Sequence, residues 1–447
     1  MISTQVDGSC NAGDWRKKKG TWAPVSWADA MEHCATYGKT LCGSSDAARC
    51  QGRGCYYNNI YQWTNEACEP PPTVAPTGGL SYRPGDLTVR QAFDGKYLDL
   101  STGLSARIVA QTGRSPVSGA PPFHDKPDGG ACFADPDPSN PGGWAYVSNS
   151  EVDSGGVGSL RFDASGAVID YSMVLTGTRN NCGGGRSPWG TWLSAEEDDD
   201  RGRVWECDPF GRFPGRRVEL VSQGGNYESV AYDDRAGKAL AFYTTEDTDA
   251  GPLTRFIPDE QEPGPHDEGR GIRGPGSYEY LVLENDGNGG TYWWASERED
   301  ANAEDAYPSV EGIDIHEGVM YFVAKGIKRL YILDLDEGTY ESSSTESGAF
   351  DQQPDQVARI VGDDILYFCE DGGPGKGGVH ARDGSTGRFF TVLDGSSYGS
   401  ETTGLAFSPD KKRMYVSFQG FGIFEITRDD GRVFDGATLD IKYHAAD

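Results

Sequence analysis

Four acidic residues stand at the start of similar segments in the second half of the chain. Glu228, Glu311, Asp355 and Glu401 each lead into a short apolar strand, a turn and a second apolar strand. The acids are 83, 44 and 46 residues apart. A period of about 40–50 residues built from short strands is typical of β-propeller blades. Because the first strand of each blade lines a propeller's central channel, we expect these carboxylates to meet at one mouth of the channel.

Further polar residues stand where other apolar strands end, and they enlarge this predicted group. The candidate metal ligands are Asn149, Glu151, Glu196, Glu197, Glu228, Glu311, Asp355, Glu370 and Glu401. Oxygen ligands of this kind suit Ca²⁺, which takes about 6–8 of them in irregular geometry. A single acid at a strand end is more often a solvated loop residue. The recurrence of the pattern nevertheless predicts a site for several calcium ions.

The remaining sequence is typical of an all-β fold. The 62 glycines, 22 tyrosines and 10 tryptophans indicate many strands and turns. Two more strands end in acids, at 143–151 and 189–197, and bring the number of blades to six. A strand at 105–110 is expected to close the ring, because a propeller has to protect its edges. We therefore predict a six-bladed β-propeller over residues 80–447.

Residues 1–69 are predicted to form a small disulfide-rich module that precedes the propeller. Its six cysteines are Cys10, Cys34, Cys42, Cys50, Cys55 and Cys68. An even number of cysteines in a short polar stretch is typical of disulfides made in an oxidising compartment. Zinc is disfavoured because no Cys-x-x-Cys occurs there. The module is expected to be a structural cap or to contact a surface or glycan, and residues 70–79 are expected to be a linker.

The charge of the chain excludes some partners and permits others. A net charge of −29 argues against nucleic acid, which requires a basic surface. A small phosphate ester remains a possible substrate, because bound cations reverse the local field. No apolar run approaches the roughly 20 residues that span a bilayer. The cysteines favour a secreted or extracellular protein, although Met1-Ile2-Ser3 lacks the features of a leader peptide.

Familiar catalytic arrangements are missing from the sequence. There is no nucleophile elbow in a strand–turn–helix context, and the six histidines show no metal-binding spacing. His266 and His380 are expected to be loop histidines. The glycine run from Cys182 to Arg186 is suited to approach an anion through its backbone amides, with Arg186 as a charged clamp.

Several of these segments together resemble the PhoX-type alkaline phosphatase family. The likeness is densest at 181–197, which reads NCGGGRSPWGTWLSAEE, and continues at Tyr227-Glu228-Ser229, Val310-Glu311-Gly312, Cys369-Glu370-Asp371 and Glu401-Thr402-Thr403. The resemblance implies a six-bladed propeller that hydrolyses phosphate monoesters with calcium ions and a pair of irons. It implies acidic metal ligands at Glu196, Glu228, Glu311 and Glu401, with Asn149, Glu151 and Asp355 as further candidates. The catalytic roles are assigned to Glu196 and Arg186.

One position departs from the family pattern. The phosphatases have a cysteine immediately before the two glutamates, where this chain has Ala195. Alanine offers no ligand atom to iron, so calcium is expected and iron is in doubt. Two functions stay open: a metal-dependent phosphomonoesterase, and a non-catalytic extracellular propeller that binds calcium and uses its N-terminal module for binding or tethering.

Overall fold

A computed structural model describes residues 87, 89–261, 270–284, 288–360, 365–372, 377–384 and 386–434, and the backbone of three short strands at 3–6, 9–12 and 444–445. The chain divides into two compact units, Met1–Gly79 and Leu80–Asp447. In the first unit, β1 (Ser3–Val6) pairs antiparallel with β2 (Ser9–Ala12). The predicted disulfides, the linker and His266 lie outside the residues whose side chains are described.

The second unit consists almost entirely of strands. Its first part contains β3 (Val89–Phe93), β4 (Lys96–Leu100), β5 (Leu104–Gln111), β6 (Pro127–Ala134), β7 (Trp144–Ser150), β8 (Gly155–Phe162), β9 (Val168–Thr178), β10 (Asn181–Arg186), β11 (Trp192–Glu196), β12 (Val204–Cys207) and β13 (Arg216–Val218). Its middle part contains β14 (Tyr227–Asp233), β15 (Ala241–Glu246), β16 (Thr254–Pro258), β17 (Gly276–Glu284), β18 (Gly289–Ala295), β19 (Val310–His316), β20 (Val319–Ala324), β21 (Arg329–Asp334) and β22 (Thr339–Ser344). Its last part contains β23 (Gln353–Arg359), β24 (Ile365–Asp371), β25 (Gly378–Asp383), β26 (Phe389–Asp394), β27 (Thr402–Phe407), β28 (Arg413–Phe418), β29 (Gly422–Arg428) and β30 (His444–Ala445).

Helices in the described residues are few and short. The α-helical turns are Arg270–Arg273 and Ala303–Ala306, and the 3-10 turns are Arg298–Asp300, Lys325–Ile327 and Ser396–Tyr398. Within the described ranges, no helix has the length and apolar character that crossing a membrane requires.

Three of the sheets have the four strands of a propeller blade, and a fourth sheet begins with four strands in the same order and adds further strands at its outer edge. Their orders are β6-β7-β8-β9, β10-β11-β12-β13, β27-β28-β29-β5 and β23-β24-β25-β26-β4-β3, with β30 also paired to β26. The outer strand β5 comes from far upstream in the chain and pairs with β29 from Leu104 to Gln111. The predicted closing strand at 105–110 is therefore confirmed.

The largest sheet differs from the prediction of six separate blades. Its order is β14-β15-β16-β17-β18-β22-β21-β20-β19, and its edge strands β14 and β19 pack against each other, so the sheet curls into a nearly closed barrel. The link is the pairing of Gly289–Thr291 with Thr339–Glu341. An edge strand has free N–H and C=O groups that readily pair with another edge. The fold is all-β and propeller-like, but its hydrogen bonds do not separate six blades.

The hydrophobic core lies between neighbouring sheets. Trp144 and Phe162 of one sheet stack with a centroid distance of 5.3 Å, and the indole N–H of Trp144 donates to the hydroxyl of Tyr415 in the next sheet at 3.2 Å. All seven residues of β7 are buried. A strand with both faces covered by other sheets reads as a continuous apolar run, which explains why these strands are conspicuous in the sequence.

Six strands surround a central channel. Each of β6, β10, β14, β19 and β23 lies against the next in this order, β23 lies against β27, and β27 lies against β6. Gly183 lies against Glu228 and Gly185 against Val230, so neighbouring strands run in the same sense. A cavity of ≈ 690 Å³ opens among them. All six strands therefore begin at the same end of the channel.

Candidate metal centre

The first two strands of five hairpins share one register where the first strand begins. The pairs that come just before the register shift are Pro127–Ser150, Asn181–Glu196, Tyr227–Glu246, Val310–Ala324 and Pro354–Glu370. The residue after each first member forms an inner set, and this set is Asp128, Cys182, Glu228, Glu311 and Asp355. The residue after each second member forms an outer set, and this set is Glu151, Glu197, Asp247, Lys325 and Asp371. Equivalent positions of five hairpins thus supply eight carboxylates, one thiol and one ammonium.

A β-bulge accompanies every inner residue. The register shifts between Pro127 and Gly130, and equivalent shifts occur in the other four hairpins. A bulge adds one residue to a strand and turns its side chain in a new direction. It also lets neighbouring first strands approach closely: a Cβ on Gly183 would lie 2.3 Å from the carbonyl oxygen of Glu228. Only glycine fits at that position.

The sixth hairpin, β27–β28, contributes differently. Its bulge begins at Thr403, so that the position equivalent to the inner set is Gly404 and the outer equivalent is Phe418. The flanking residues Glu401 and Gln419 supply polar groups instead. The side-chain amide of Gln419 donates to Asp128 at 3.2 Å and to Glu151 at 2.5 Å.

Residues of the inner and outer sets, together with Glu401, form three overlapping groups. Within each group the potential ligand atoms lie within 4.8 Å of one another. The groups are Glu151, Cys182 and Glu197; Asp128, Glu151 and Glu401; and Glu197, Glu228 and Asp247. Glu151 and Glu197 each belong to two of them. The arrangement is one continuous cluster of anionic ligand atoms at the mouth of the channel.

Two lysines provide positive charge to this cluster. The ammonium of Lys325 lies 2.5 Å from Glu311 and 2.6 Å from Asp247, and 3.7 Å from Asp371. Lys126, whose side chain is half exposed, lies 3.2 Å from Glu151 on another side of the mouth. Two ammonium groups do not balance the eight carboxylates of the two sets together with Glu401.

The excess of negative charge is visible in the pKa values of the carboxyl groups. Burial, followed by the nearby Glu151, raises the pKa of Asp128 to about 6. Burial, Asp247 and Glu151 raise the pKa of Glu197 to about 7. Burial, followed by Asp128 and Asp371, raises the pKa of Glu401 to about 10. The protein scaffold holds these groups together although their ionised forms repel one another.

The innermost carboxyl groups are perturbed further. Burial, followed by the charge of Glu311, raises the pKa of Glu228 well above its usual range. Glu228 is 3% exposed, and none of the described residues donates a hydrogen bond to its carboxylate. Burial raises the pKa of Glu311 in the same way, and Oε1 of Glu311 has no hydrogen-bond partner of normal geometry, although the ion pair with Lys325 is short. Buried polar groups ordinarily have partners; Glu311 has the ammonium of Lys325 beside it, whereas Glu228 has no hydrogen-bond donor among the described residues.

Three residues that the sequence predicts as ligands have their polar atoms engaged elsewhere. The carboxylate of Glu196 accepts hydrogen bonds from the backbone N–H groups of Arg179 at 2.9 Å and Arg203 at 3.0 Å. The carboxylate of Glu370 accepts from the backbone of Gln352 at 2.8 Å and contacts the imidazole of His380 at 3.1 Å. Both glutamates are second members of the pairs that come just before the register shift, one residue before the outer set. Because successive side chains of a strand point to opposite faces, theirs point away from the cluster.

Asn149 is the third of these residues, and it supports β10 from behind. Its amide donates to the carbonyl oxygens of Cys182 at 2.7 Å and Gly183 at 2.5 Å. Its side-chain oxygen accepts from Trp192 and from Ser194, both at 2.9 Å. All four hydrogen-bonding positions of the amide are filled, so Asn149 holds the bulge that carries Cys182.

Arg186, the predicted anion clamp, and His380, the predicted loop histidine, both lie away from the acidic cluster. Arg186 is four residues beyond Cys182 on β10, about 13 Å along an extended strand, and its guanidinium lies over the ring of Phe133 at 4.9 Å. It lines the channel away from the acidic mouth. His380 is not a loop residue: it lies on β25, buried, and stacks on Phe350 at 4.3 Å.

The structure shows where the side chain of Ala195 lies and whether a sulfur ligand is missing from the cluster. Ala195 is fully buried in a hydrophobic cluster with Leu193, Val204 and Tyr227, so a side chain at this position faces the core. The thiol at the mouth is Cys182, which reaches Glu151 and Glu197. Burial, followed by nearby carboxylates, raises the pKa of the Cys182 thiol. A sulfur ligand is therefore available at the site without a cysteine at position 195.

Asp128, Gln419 and Lys325 also belong to the cluster, and the sequence pattern of acids before apolar strands does not predict them. Asp128 precedes two glycines, and Asp-Gly is ordinarily a turn signal. Lys325 follows the apolar strand Val319–Ala324 at the position where other hairpins have an acid. A search for any polar residue directly after a second strand, rather than for acids alone, finds it.

Comparisons with known proteins bear on the family and the fold. A family model described as alkaline phosphatase PhoX matches residues 158–225. No curated protein matches the chain. The structure of PhoX from Pseudomonas fluorescens in complex with vanadate, a transition state analogue, is 14% identical, with a TM-score of 0.62, and the match covers 78% of this chain and 98% of that one.

Two further solved structures are less similar. A streptogramin B lyase is 12% identical, with a TM-score of 0.44, over 73% of this chain and 98% of that one. The gluconolactonase XC5397 from Xanthomonas campestris is 10% identical, with a TM-score of 0.43, over 74% and 91%. The family match and the PhoX structure confirm the resemblance that the sequence motifs indicated, and the structural likeness is one of fold.

Proposed function

We propose that this PhoX-like chain is a metal-dependent phosphoric monoester hydrolase whose cations are held by the inner and outer sets. The observation that carries the proposal is the position of Glu228. Its carboxylate is buried, has no hydrogen-bond donor among the described residues, and lies within 4.8 Å of ligand atoms on Glu197 and Asp247. A buried and unpaired carboxylate is strongly unfavourable unless a cation accompanies it.

The donor atoms at the mouth suit more than one cation. Asp128, Glu151 and Glu401 offer oxygens only, which favours calcium. Glu151, Cys182 and Glu197 combine two carboxylates with a thiol, and a softer sulfur ligand favours a transition metal such as iron. We therefore propose several calcium ions and include iron at the Cys182 side.

The chain's own residues have a limited chemical task in this proposal. Bound cations supply Lewis acidity and charge neutralisation for a phosphoryl group. The carboxylates hold the cations, and the bulges and Asn149 hold the carboxylates and the thiol in position. Lys126, half exposed beside Glu151, is suited to attract the phosphate dianion to the mouth. The substrate would be a small phosphate ester that reaches the cluster from solvent.

The remaining predictions accompany this function as proposals. We count the nine-stranded sheet as two blades joined at β18 and β22, which gives six. The ligand roles predicted for Glu151, Glu197, Glu228, Asp355 and Glu401 are kept, Glu311 is given to the ion pair with Lys325, and Glu196, Glu370, Asn149 and Arg186 are given supporting or unrelated roles. The cysteine pattern of residues 1–69 supports a secreted protein with a small accessory module.

The experiment is hydrolysis of p-nitrophenyl phosphate by the full chain after removal of metals and reconstitution with calcium, with and without iron. We expect hydrolysis of p-nitrophenyl phosphate that is lost in a chelator and restored when the metals are added back. Glu228→Gln should lower kcat at least tenfold, whereas Glu341→Gln, an exposed glutamate on β22, should not change it. Bound calcium without hydrolysis under any metal condition would reject the enzyme and favour the non-catalytic calcium-binding propeller.

A further inference from the structure

The outer set contains one residue of the wrong charge for a metal ligand. In four of the five hairpins the outer position is occupied by Glu151, Glu197, Asp247 or Asp371, and in the fifth it is occupied by Lys325. Lys325 occupies this position by register and not by a detour of the chain. Its backbone N–H donates to the carbonyl of Ser309 at 2.8 Å, which fixes the start of the 3-10 turn Lys325–Ile327.

The ammonium of Lys325 is directed into the ring. Its Nζ atom lies 2.5 Å from Oε1 of Glu311, 2.6 Å from Oδ2 of Asp247 and 3.7 Å from Oδ2 of Asp371. The three acids come from three different places in the fold: the start of β19, the end of β15 and the end of β24. An ammonium has three N–H donors and no acceptor; Glu311 and Asp247 are in close ionic contact with it, and Asp371 makes a longer ionic contact.

We propose that the ammonium of Lys325 stands in the place of a divalent cation between Asp247, Glu311 and Asp371. The metal ions are then confined to the rest of the ring, at the three groups that contain Glu151 or Glu197. The inference rests on the cation site of the proposed function and adds where cations are excluded from it. Calcium contacts its oxygen ligands at about 2.3–2.6 Å, so a calcium ion sharing these oxygens would lie within a few ångströms of the ammonium and be repelled.

The consequence of this arrangement is an asymmetric centre. One cationic position is filled permanently by the chain, whatever the supply of metal, and it neutralises part of the charge that Glu228 and Glu311 would otherwise face. Asp247 belongs both to this lysine-filled position and to the group with Glu197 and Glu228. Lys325 therefore also limits the freedom of a carboxylate that a neighbouring metal ion would use.

The test counts calcium ions bound per chain by equilibrium dialysis and elemental analysis of the metal-stripped, reloaded full chain. Lys325→Met removes the charge and keeps most of the side-chain length, and it should bind one more calcium ion than the wild type. Lys325→Arg keeps the charge and should bind the wild-type number. Lys328→Met is the matched control, because Lys328 lies in the next turn and contacts Glu346 at 2.9 Å away from the ring.

The inference is overturned if Lys325→Met binds the same number of calcium ions as the wild type, or fewer. A wild type that binds no calcium rejects both the cation site and the inference, whereas a wild type that binds calcium without a gain in Lys325→Met rejects the inference alone. If the metal-free variant is unstable, the calcium dependence of its thermal unfolding gives the same answer. The logarithmic dependence of the unfolding constant on calcium concentration should become steeper by about one ion.

Discussion

Replacement of Glu228 by glutamine should have opposite effects on the protein without and with calcium. The side chain is 3% exposed, and the carboxyl pKa is raised by burial and by Glu311. In a chelator the variant removes an unpaired buried acid and keeps its shape. Replacement of a buried ion pair by apolar residues of similar volume is often neutral or stabilising by about 1–4 kcal/mol, and we expect the neutral amide at position 228 to give a gain of the same order.

The expected change is measurable by calorimetry. The unfolding entropy of about 2.1 cal/mol/K per residue implies a shift of roughly 1.3 °C in Tm per kcal/mol for a unit the size of the propeller. The variant should therefore melt roughly 1–5 °C above the wild type in chelator. In excess calcium it lacks one anionic ligand, and a tenfold weaker affinity at one site removes about 1.4 kcal/mol, or about 2 °C, of the stabilisation by calcium.

The assay is differential scanning calorimetry of both proteins in EGTA and in millimolar calcium, with Glu341→Gln as the control. The control should leave both the Tm in chelator and the rise caused by calcium at the wild-type values. The reasoning is refuted if Glu228→Gln lowers Tm in chelator, because Glu228 would then be a satisfied core residue. It is also refuted if calcium raises the Tm of the variant and of the wild type equally.

Three more outcomes follow from the same contacts. Asn149→Ala should destabilise the protein by about 3 kcal/mol in chemical denaturation and should weaken metal binding, because it strands buried partners of its amide and frees the bulge at Cys182. Ala195→Cys should leave the number of bound metal ions unchanged in elemental analysis, because position 195 faces the hydrophobic core. In chelator, the free energy of unfolding should be highest near pH 4–5 and should fall as pH rises toward 10, measured by urea titration at each pH. The native state then keeps protons on Glu197, with a pKa of about 7, and on Glu401, with a pKa of about 10, that the unfolded state has lost.

Each of these three predictions would be contradicted by one particular result. Wild-type metal affinity in Asn149→Ala would show that the bulge does not depend on this amide. A metal ion gained by Ala195→Cys would place position 195 at the centre after all. A metal-free protein whose stability rises between pH 5 and pH 9 would mean that its carboxyl pKa values are lowered by partners and not raised by burial and mutual repulsion. Each additional proton retained by the native state corresponds to about 1.4 kcal/mol per pH unit.

Part of the site could be predicted from the sequence because the same pattern, an acid directly before a buried strand, recurs in several hairpins. A strand buried on both faces reads as a short apolar run, and an acid directly before such a run is conspicuous. Glu228, Glu311 and Asp355 were found in this way, and the structure brings them to the same ring. The closing strand β5 was predictable for a related reason, since a propeller has to pair its last edge.

The exact ligand position was harder to predict because of the bulges. A bulge shifts the register of one strand by a residue, and a shift of one residue sends a side chain to the opposite face. Glu196 and Glu197 are therefore adjacent in sequence but differ in role: Glu196 accepts backbone hydrogen bonds, and Glu197 joins the cluster. The choice between two neighbouring acids depends on cross-strand pairing that composition does not show.

Other features depended on contacts between distant segments. The join between β18 and β22 arises from two exposed edges and has no counterpart in the repeat pattern. Lys325 reads as a solvated lysine after an apolar strand until Asp247 and Asp371 are seen beside it. Asp128 reads as part of a turn until Gln419, from the other end of the propeller domain, is seen to bind it.

The most direct test of the account is anomalous X-ray diffraction from crystals of the protein loaded with calcium, and separately with calcium and iron. We predict anomalous peaks at two places: between Glu197, Glu228 and Asp247, and among Asp128, Glu151 and Glu401. We predict no peak between Lys325 and Glu311. Crystals with no peak at the channel mouth, or with peaks on the outer surface alone, would contradict it.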